Sequence, residues 1–233
     1  MPIGKLYLIP VPIAEGALHT LPAEVATHTA RLRFYFAENA RTARRFLRSL
    51  HAGLVLEEVT ISEIDKHTGT DMTTLKKWLK EGKEVGVLSE SGCPGIADPG
   101  ADIAAVAQAM GAEVLPISGP SSILLAIMAS GLNGQSFAFN GYLPVKDPAR
   151  SQEIKAMENT SRKKNQTQAF IETPYRNEVL LADLLKNCDS NTRICIAKNI
   201  TGTDAYIKTK TAAEWKKAIP VIGKVPAVFL LLA

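Results

Sequence analysis

The residue types best placed for chemistry lie in one stretch, Ser89-Glu90-Ser91-Gly92-Cys93-Pro94-Gly95-Ile96-Ala97-Asp98-Pro99-Gly100, between a hydrophobic strand and a helix. Its three glycines and two prolines fix a tight path whose N–H and C=O groups can come close to a ligand. In an open α/β sheet, ligands bind just beyond the carboxyl ends of the strands, where this stretch falls. It is neither G-x-G-x-x-G nor a P-loop, and it lacks the lysine that a nucleoside triphosphate would need. A long structural turn is the plain alternative. A second turn, Ser118-Gly119-Pro120-Ser121-Ser122, also leaves an apolar strand and opens a helix. Its hydroxyls either cap that helix or bind a polar ligand group. The loop Pro10 to Gly16 follows the first strand and supplies a third wall, so three loops are expected to form a pocket on one sheet edge. Elsewhere, Arg41, Arg44, Arg45 and Arg48 fall at i, i+3, i+4 and i+7, one helix face of four like charges that repel one another. Such a face suits phosphate contact, or it is simply solvated.

These loops need strands and helices to hold them. Lys5 to Val11, Arg33 to Ala37, Glu84 to Ser89 and Glu113 to Ile117 read as strands alternating with helical segments, which implies βαβ units and a mainly parallel sheet. One helix is capped at Thr70 or Asp71 and ends before Gly82; another starts at Asp98-Pro99 and stops at Gly111. Ser121 to Ser130 is almost wholly apolar, so it should be a helix buried on most sides. Ser136 to Gly141, Thr167 to Glu172, Arg193 to Ala197, Ala205 to Thr209 and Val225 to Leu232 read as further strands, with helical patterns near 149 to 161, 176 to 187 and 212 to 218. The last strands follow too closely for βαβ crossovers, so this second sheet should be mixed. The polar stretch Glu158 to Gln168 reads as a surface connection.

A chain of 233 residues with 46% hydrophobic and 21% charged content can bury a sizeable core, which excludes disorder and a mini-protein scaffold. The length and a composition shift point to an N-terminal α/β domain over 1–117 and a C-terminal one over 118–233. Three cysteines without a C-x-x-C pair, and His19, His28, His51 and His67 without H-E-x-x-H spacing, indicate neither a disulfide framework nor a metal site. The opening apolar run is broken by Pro10 and Pro12 and lacks a cleavage signal, and the closing run is too short to span a bilayer, so a cytoplasmic protein with no membrane contact is expected. A net charge of +4 is mild, so any polyanion must be bound by local clustering.

The ordered motifs carry a resemblance. G-K-L-Y-L-I-P-V-P-I at the start, A-E-N-A-R at 37–41, S-E-S-G-C-P-G-I-A-D-P-G at 89–100, S-G-P-S-S with A-S-G-L over 118–132, F-N-G-Y-L-P-V-K at 139–146 and F-I-E-T-P-Y-R at 170–176 together resemble the tetrapyrrole methylase superfamily. Within it the chain is most similar to the branch that methylates a ribose 2′-hydroxyl of small-subunit ribosomal RNA. The resemblance implies two α/β domains, a homodimer, and S-adenosylmethionine folded into the cleft between the domains. Carried over by position, Pro12, Ser91, Gly92, Cys93 and Ile96 would contact the cofactor from the first domain. Ser121 and Ser122 would do so from the linking turn, and Ile171, Ala197 and Pro226 from the second domain. Backbone carbonyls and apolar walls without lysine or arginine suit a sulfonium cation. A ribose acceptor also needs a proton acceptor, for which Glu38, Glu90 and Glu172 are candidates; each could equally be a cap or an ion-pair partner. Cys93 invites a nucleophile reading, but no histidine is expected beside it, which favours a role in the cofactor wall.

The chain departs from the ribosomal branch at several polar positions. Val11-Pro12-Ile13-Ala14-Glu15 replaces T-P-I-G-N, Asn39-Ala40 replaces the D-T of A-E-D-T-R, and Lys198-Asn199 replaces an arginine and a glutamate. The leading expectation is methyl transfer to ribosomal RNA on the small ribosomal subunit, with Arg41, Arg44, Arg45 and Arg48 as the RNA contact. The alternatives are a small tetrapyrrole or corrinoid acceptor and a non-catalytic RNA-binding homologue.

Overall fold

The structure, a computed structural model, describes residues 2–64 and 69–233; His67 lies outside them. The chain divides into two compact units, Met1–Ser121 and Ser122–Ala233, so Ser118 to Ser121 go with the first unit.

In the first unit, β1 (Lys5–Ile9), β2 (Phe34–Ala37), β3 (Thr60–Glu63), β4 (Val85–Leu88) and β5 (Glu113–Pro116) form one sheet in the order β3-β2-β4-β1-β5. Every pairing is parallel. The crossovers are α1 (Ala23–Arg31), α2 (Ala40–Leu50), α3 (Met72–Lys80) and α4 (Ala101–Ala109). Successive strand residues face opposite ways. Tyr7 and Tyr35 therefore pack with Val25 of α1 and Leu47 of α2, while Leu6 and Phe36 pack with Leu75 of α3 and Ile103 of α4. Helices thus cover both faces, and β4 is buried along its whole length, as an interior parallel strand must be.

The structure corrects several expectations. The helix α4 begins at Ala101 and not at Asp98-Pro99, because Gly100 adopts φ 128° and the Pro99 carbonyl accepts a loop hydrogen bond from Gly95 N at 3.1 Å. Two elements, α1 and β3, had no strong signal: α1 opens on Ala-Glu-Val-Ala-Thr-His-Thr after Pro22, and the edge strand β3 has no buried residue. Asp71 proves to be the cap of α3, accepting from Thr73 N and Thr74 N.

The second unit contains α5 (Ser122–Ser130), β6 (Phe137–Tyr142), α6 (Ala149–Lys164), β7 (Thr167–Glu172), α7 (Asn177–Asn187), β8 (Arg193–Lys198), β9 (Tyr206–Thr211), α8 (Ala212–Lys217) and β10 (Ala227–Leu232). Its sheet runs β6-β7-β10-β8-β9 and is mixed: β6 and β7 are parallel, and the other neighbours are antiparallel. The central β10, Ala-Val-Phe-Leu-Leu-Leu, is buried on both faces. Ile154, Leu180, Leu184 and Trp215, from α6, α7 and α8, pack with Phe229 and Leu231 in one cluster. The other face receives α5, whose Ser130 carbonyl accepts from Thr209 Oγ1 at 2.6 Å.

Two expectations fail in this unit. α5 is not buried on most sides: Ile123, Ala126 and Ile127 are buried, while Leu124 and Met128 are 52% and 78% exposed. Glu158 to Gln168 is not a surface connection, because α6 continues to Lys164 and β7 starts at Thr167. Glu158, Ser161 and Thr167 are buried, with the Glu158 carboxylate accepting from Thr192 Oγ1 and Asp189 N. Among the described residues no helix is long and apolar enough to cross a membrane.

Candidate functional site

Parallel strands bring their carboxyl ends to one edge, so the loops after β1, β4 and β5 in the first unit become neighbours. They are bonded together. Val11 N donates to Gly92 O at 2.9 Å, and Gly92 N donates back to Val11 O at 3.2 Å. Ser89 Oγ also donates to Gly92 O, at 3.0 Å, closing the turn on itself. Gly92 has φ 75°, and a Cβ there would stand 3.2 Å from Ile13 Cγ2 and 3.4 Å from Pro120 O. At Gly119 a Cβ would fall only 2.2 Å from Pro10 Cβ, so the first and third loops touch because one residue has no side chain. The Cys93 thiol donates to Pro120 O at 3.4 Å and lies 3.8 Å from Gly119 O, fastening the second loop to the third. Burial raises its pKa above that of an ordinary thiol, the opposite of what a nucleophile needs.

Of the predicted contacts here, Gly92 is buried, Pro12, Cys93 and Ser121 are half-buried, and Ser91 and Ile96 are exposed. Ser122 opens α5 in the second unit and is half-buried. No lysine or arginine occurs in Pro10–Gly16, Ser89–Gly100 or Ile117–Ser121. This donor set of carbonyls, hydroxyls and apolar walls fits a cationic sulfur.

β2 ends beside β4, which places Glu38 and Glu90 at the same edge. Asn39 caps α2, its Oδ1 accepting from Arg41 N at 2.9 Å and Thr42 N at 3.2 Å. Thr42 Oγ1 then donates to Glu90 Oε1 at 2.6 Å. Thr42 was not singled out from the sequence; a hydroxyl at the third position of a capped helix was the available signal. Arg41, Arg44, Arg45 and Arg48 are all exposed, and among the described residues none of them forms an ion pair.

In the second unit, strand register sorts the remaining residues. Ile171, Val228 and Ala197 form one row across β7, β10 and β8, so Ile171 and Ala197 share a face. The next row is Glu172, Ala227, Lys198 and Tyr206, on the opposite face. Glu172 is therefore turned away from Ile171 and Ala197. Its Oε1 accepts from Thr173 N and Arg176 Nη2, both at 2.6 Å, which commits the carboxylate to the turn after β7. This pairing raises the Arg176 pKa. Pro226 immediately precedes β10, and its carbonyl accepts from Asn199 N at 2.9 Å.

The sequence over residues 5–216 matches the family model described as Tetrapyrrole (Corrin/Porphyrin) Methylases. A protein of Halalkalibacterium halodurans named ribosomal RNA small subunit methyltransferase I is 30% identical over 224 residues, covering 95% of this chain and 74% of the relative. The protein of the same name in Vibrio cholerae is 28% identical over 209 residues, covering 90% and 69%. That in Escherichia coli O157:H7 is 28% identical, covering 86% and 66%. The chain thus spans about two thirds to three quarters of the length of these three relatives. Among solved structures, the methyltransferase CobJ superposes with TM-score 0.63 at 17% identity, covering 98% of this chain and 94% of that one. A Thermus thermophilus uroporphyrin-III C-methyltransferase in complex with S-adenosyl homocysteine gives TM-score 0.54 at 15% identity, covering 98% and 97%. These two establish likeness of fold.

Proposed function

This chain belongs to the tetrapyrrole (corrin/porphyrin) methylase family, and from that membership we propose that it transfers a methyl group from S-adenosylmethionine to a ribose 2′-hydroxyl of small-subunit ribosomal RNA. The observation that carries the reading is the set of three loops without lysine or arginine, joined by the Val11–Gly92 and Cys93–Pro120 hydrogen bonds, in the same unit as the exposed arginine face of α2. The names of the relatives support ribosomal RNA as the acceptor.

When bound, S-adenosylmethionine supplies an electrophilic methyl on a cationic sulfur, with a neutral thioether as leaving group. Pro12, Ser91, Gly92, Cys93, Ile96 and Ser121 would hold it from the loops of the first unit, and Ser122, Ile171, Ala197 and Pro226 are the residues of the second unit that the family resemblance assigns to it. Hydroxyls and backbone groups would take its polar ends, and the apolar walls would exclude water. The protein's main contribution is to align acceptor oxygen, methyl carbon and sulfur, which is worth up to about 7 to 11 kcal/mol. Of the candidate carboxylates, Glu38 and Glu90 are assigned to receive the hydroxyl proton, with Thr42 orienting Glu90. Glu172 holds Arg176 and is assigned no proton transfer. Arg41, Arg44, Arg45 and Arg48 meet phosphates of the RNA, and the protein works as a cytoplasmic homodimer on the small ribosomal subunit.

Transfer of labelled methyl groups into fractionated extract of a strain lacking the protein tests this. Label is expected in small-subunit ribosomal RNA. Label in the small-molecule fraction would instead favour a tetrapyrrole-like acceptor, the reading to which the description of the matched family lends support.

A further inference from the structure

Charge is unevenly divided. The second unit, Ser122–Ala233, has 15 lysines and arginines against 9 aspartates and glutamates, while the first has 12 against 14. We propose that the second unit carries a strip for single-stranded RNA, in which Tyr175 and Tyr206 stack on unpaired bases while Lys198, Lys208 and Lys224 neutralise the flanking phosphates. This rests on the RNA acceptor proposed above.

Two tyrosine–lysine pairs make the strip. Tyr175, in the 3-10 turn Pro174–Arg176 after β7, is 78% exposed, and Lys224 Nζ sits 5.4 Å from its ring centroid. Tyr206, the first residue of β9, is 36% exposed, with Lys198 Nζ 6.0 Å from its ring centroid. One short segment joins the pairs. Lys198 Nζ donates to the carbonyls of Val221 at 3.2 Å and Ile222 at 3.1 Å. From the other side Glu178 Oε1 accepts from Ile222 N at 2.8 Å and Gly223 N at 2.9 Å. The segment that bears Lys224 is thus held between the start of α7, just after Tyr175, and the end of β8, beside Tyr206. Lys208 follows on the same face of β9 as Tyr206, two residues along.

Edge-strand protection accounts for lysines on β9, since charges there discourage pairing with another chain. It does not account for Tyr175 and Lys224, which lie outside the strands. Core packing does not explain a ring as exposed as Tyr175 either. Aromatic faces interleaved with cations, on the basic half of the chain, match the way unpaired nucleotides are held: every base offers a π-face, and the lysines follow the backbone. Such a strip tolerates sequence and discriminates against duplex, whose bases are already stacked.

The test is fluorescence anisotropy of a labelled oligouridylate with the full chain, titrated across salt. Tyr175→Ala and Tyr206→Ala are each expected to weaken binding about tenfold or more, and Tyr175→Phe to restore it, with unchanged thermal midpoints. Lys224→Gln should lower the slope of log affinity against log salt by roughly one. Wild-type affinity in both alanine variants, no binding of oligouridylate by the wild type, or equal competition by duplex RNA would each overturn the strip. Methyl transfer to ribosomal subunits is followed in parallel. If both alanine variants keep wild-type affinity for oligouridylate while RNA is methylated, the strip fails and the RNA acceptor stands. If oligouridylate binds through the tyrosines but no RNA is methylated, the strip stands and the acceptor assignment fails.

Discussion

Cys93 shows how a residue's surroundings decide between two uses of the same side chain. Its thiol proton is directed at carbonyls of Pro120 and Gly119, and burial holds its pKa above the ordinary thiol range. A raised pKa means less thiolate at neutral pH than in a free cysteine, and the thiolate is the reactive species. Iodoacetamide should therefore alkylate Cys93 more slowly than glutathione at pH 7.5, with reactivity recovering only as pH rises through the elevated pKa. Cys93→Ala should keep most methyl transfer, in contrast to the loss of about 10²-fold or more that follows removal of a group acting in proton transfer. Rapid alkylation at neutral pH, or a collapse of turnover in the alanine variant, would return Cys93 to the list of nucleophiles. Asn39 makes a similar point. It stands where the resemblance to the ribosomal branch leads to an expectation of aspartate, and its amide oxygen caps α2, so the helix N-terminus that carries Thr42 is intact.

At the scale of elements, the pocket wall depends on how closely two loops approach. A methyl at Gly119 would lie 2.2 Å from Pro10 Cβ and 2.3 Å from Pro10 Cγ, and a proline ring cannot swing aside. Gly119→Ala should therefore part the loops after β1 and β5, lowering stability by about 1 to 3 kcal/mol in urea denaturation. It should also weaken S-adenosylmethionine binding in calorimetry, whereas Gly53→Ala, with nothing within 4 Å of the added carbon, should do neither. Unchanged binding in the Gly119 variant would mean that this approach does not shape the site. Much of this edge was legible in the sequence because strand, glycine-rich turn and helix follow one another in plain order. The start of α4 was not, since Asp-Pro is a good helix opening and only the φ of Gly100 shows that the loop continues. β3 escaped because an edge strand without a buried face carries no alternation. The burial of Glu158 depends on Thr192 and Asp189, far away in the chain. Glu172 was readable: period two in β7 already forbids it from sharing a face with Ile171.

For the molecule as a whole, each unit buries its own apolar residues. The cluster around Phe170, Leu184, Ile196, Trp215 and Phe229 draws only on residues after Ser122, and the other two draw only on residues before it. A sheet built around a strand as apolar as β10, covered by helices from the same segment, has what a folding unit needs. The fragment 122–233 should accordingly fold alone, with one cooperative urea transition. The two tryptophans divide between the units, Trp78 in α3 and Trp215 in α8, so the fragment's emission reports only its own core. Trp215 is 1% exposed and donates from Nε1 to Ile194 O at 2.8 Å, so its emission should be blue-shifted and should move to that of a solvated indole in the same transition seen by circular dichroism. Solvated emission before any urea is added, or two transitions that do not coincide, would show that residues before Ser122 are required to complete this core.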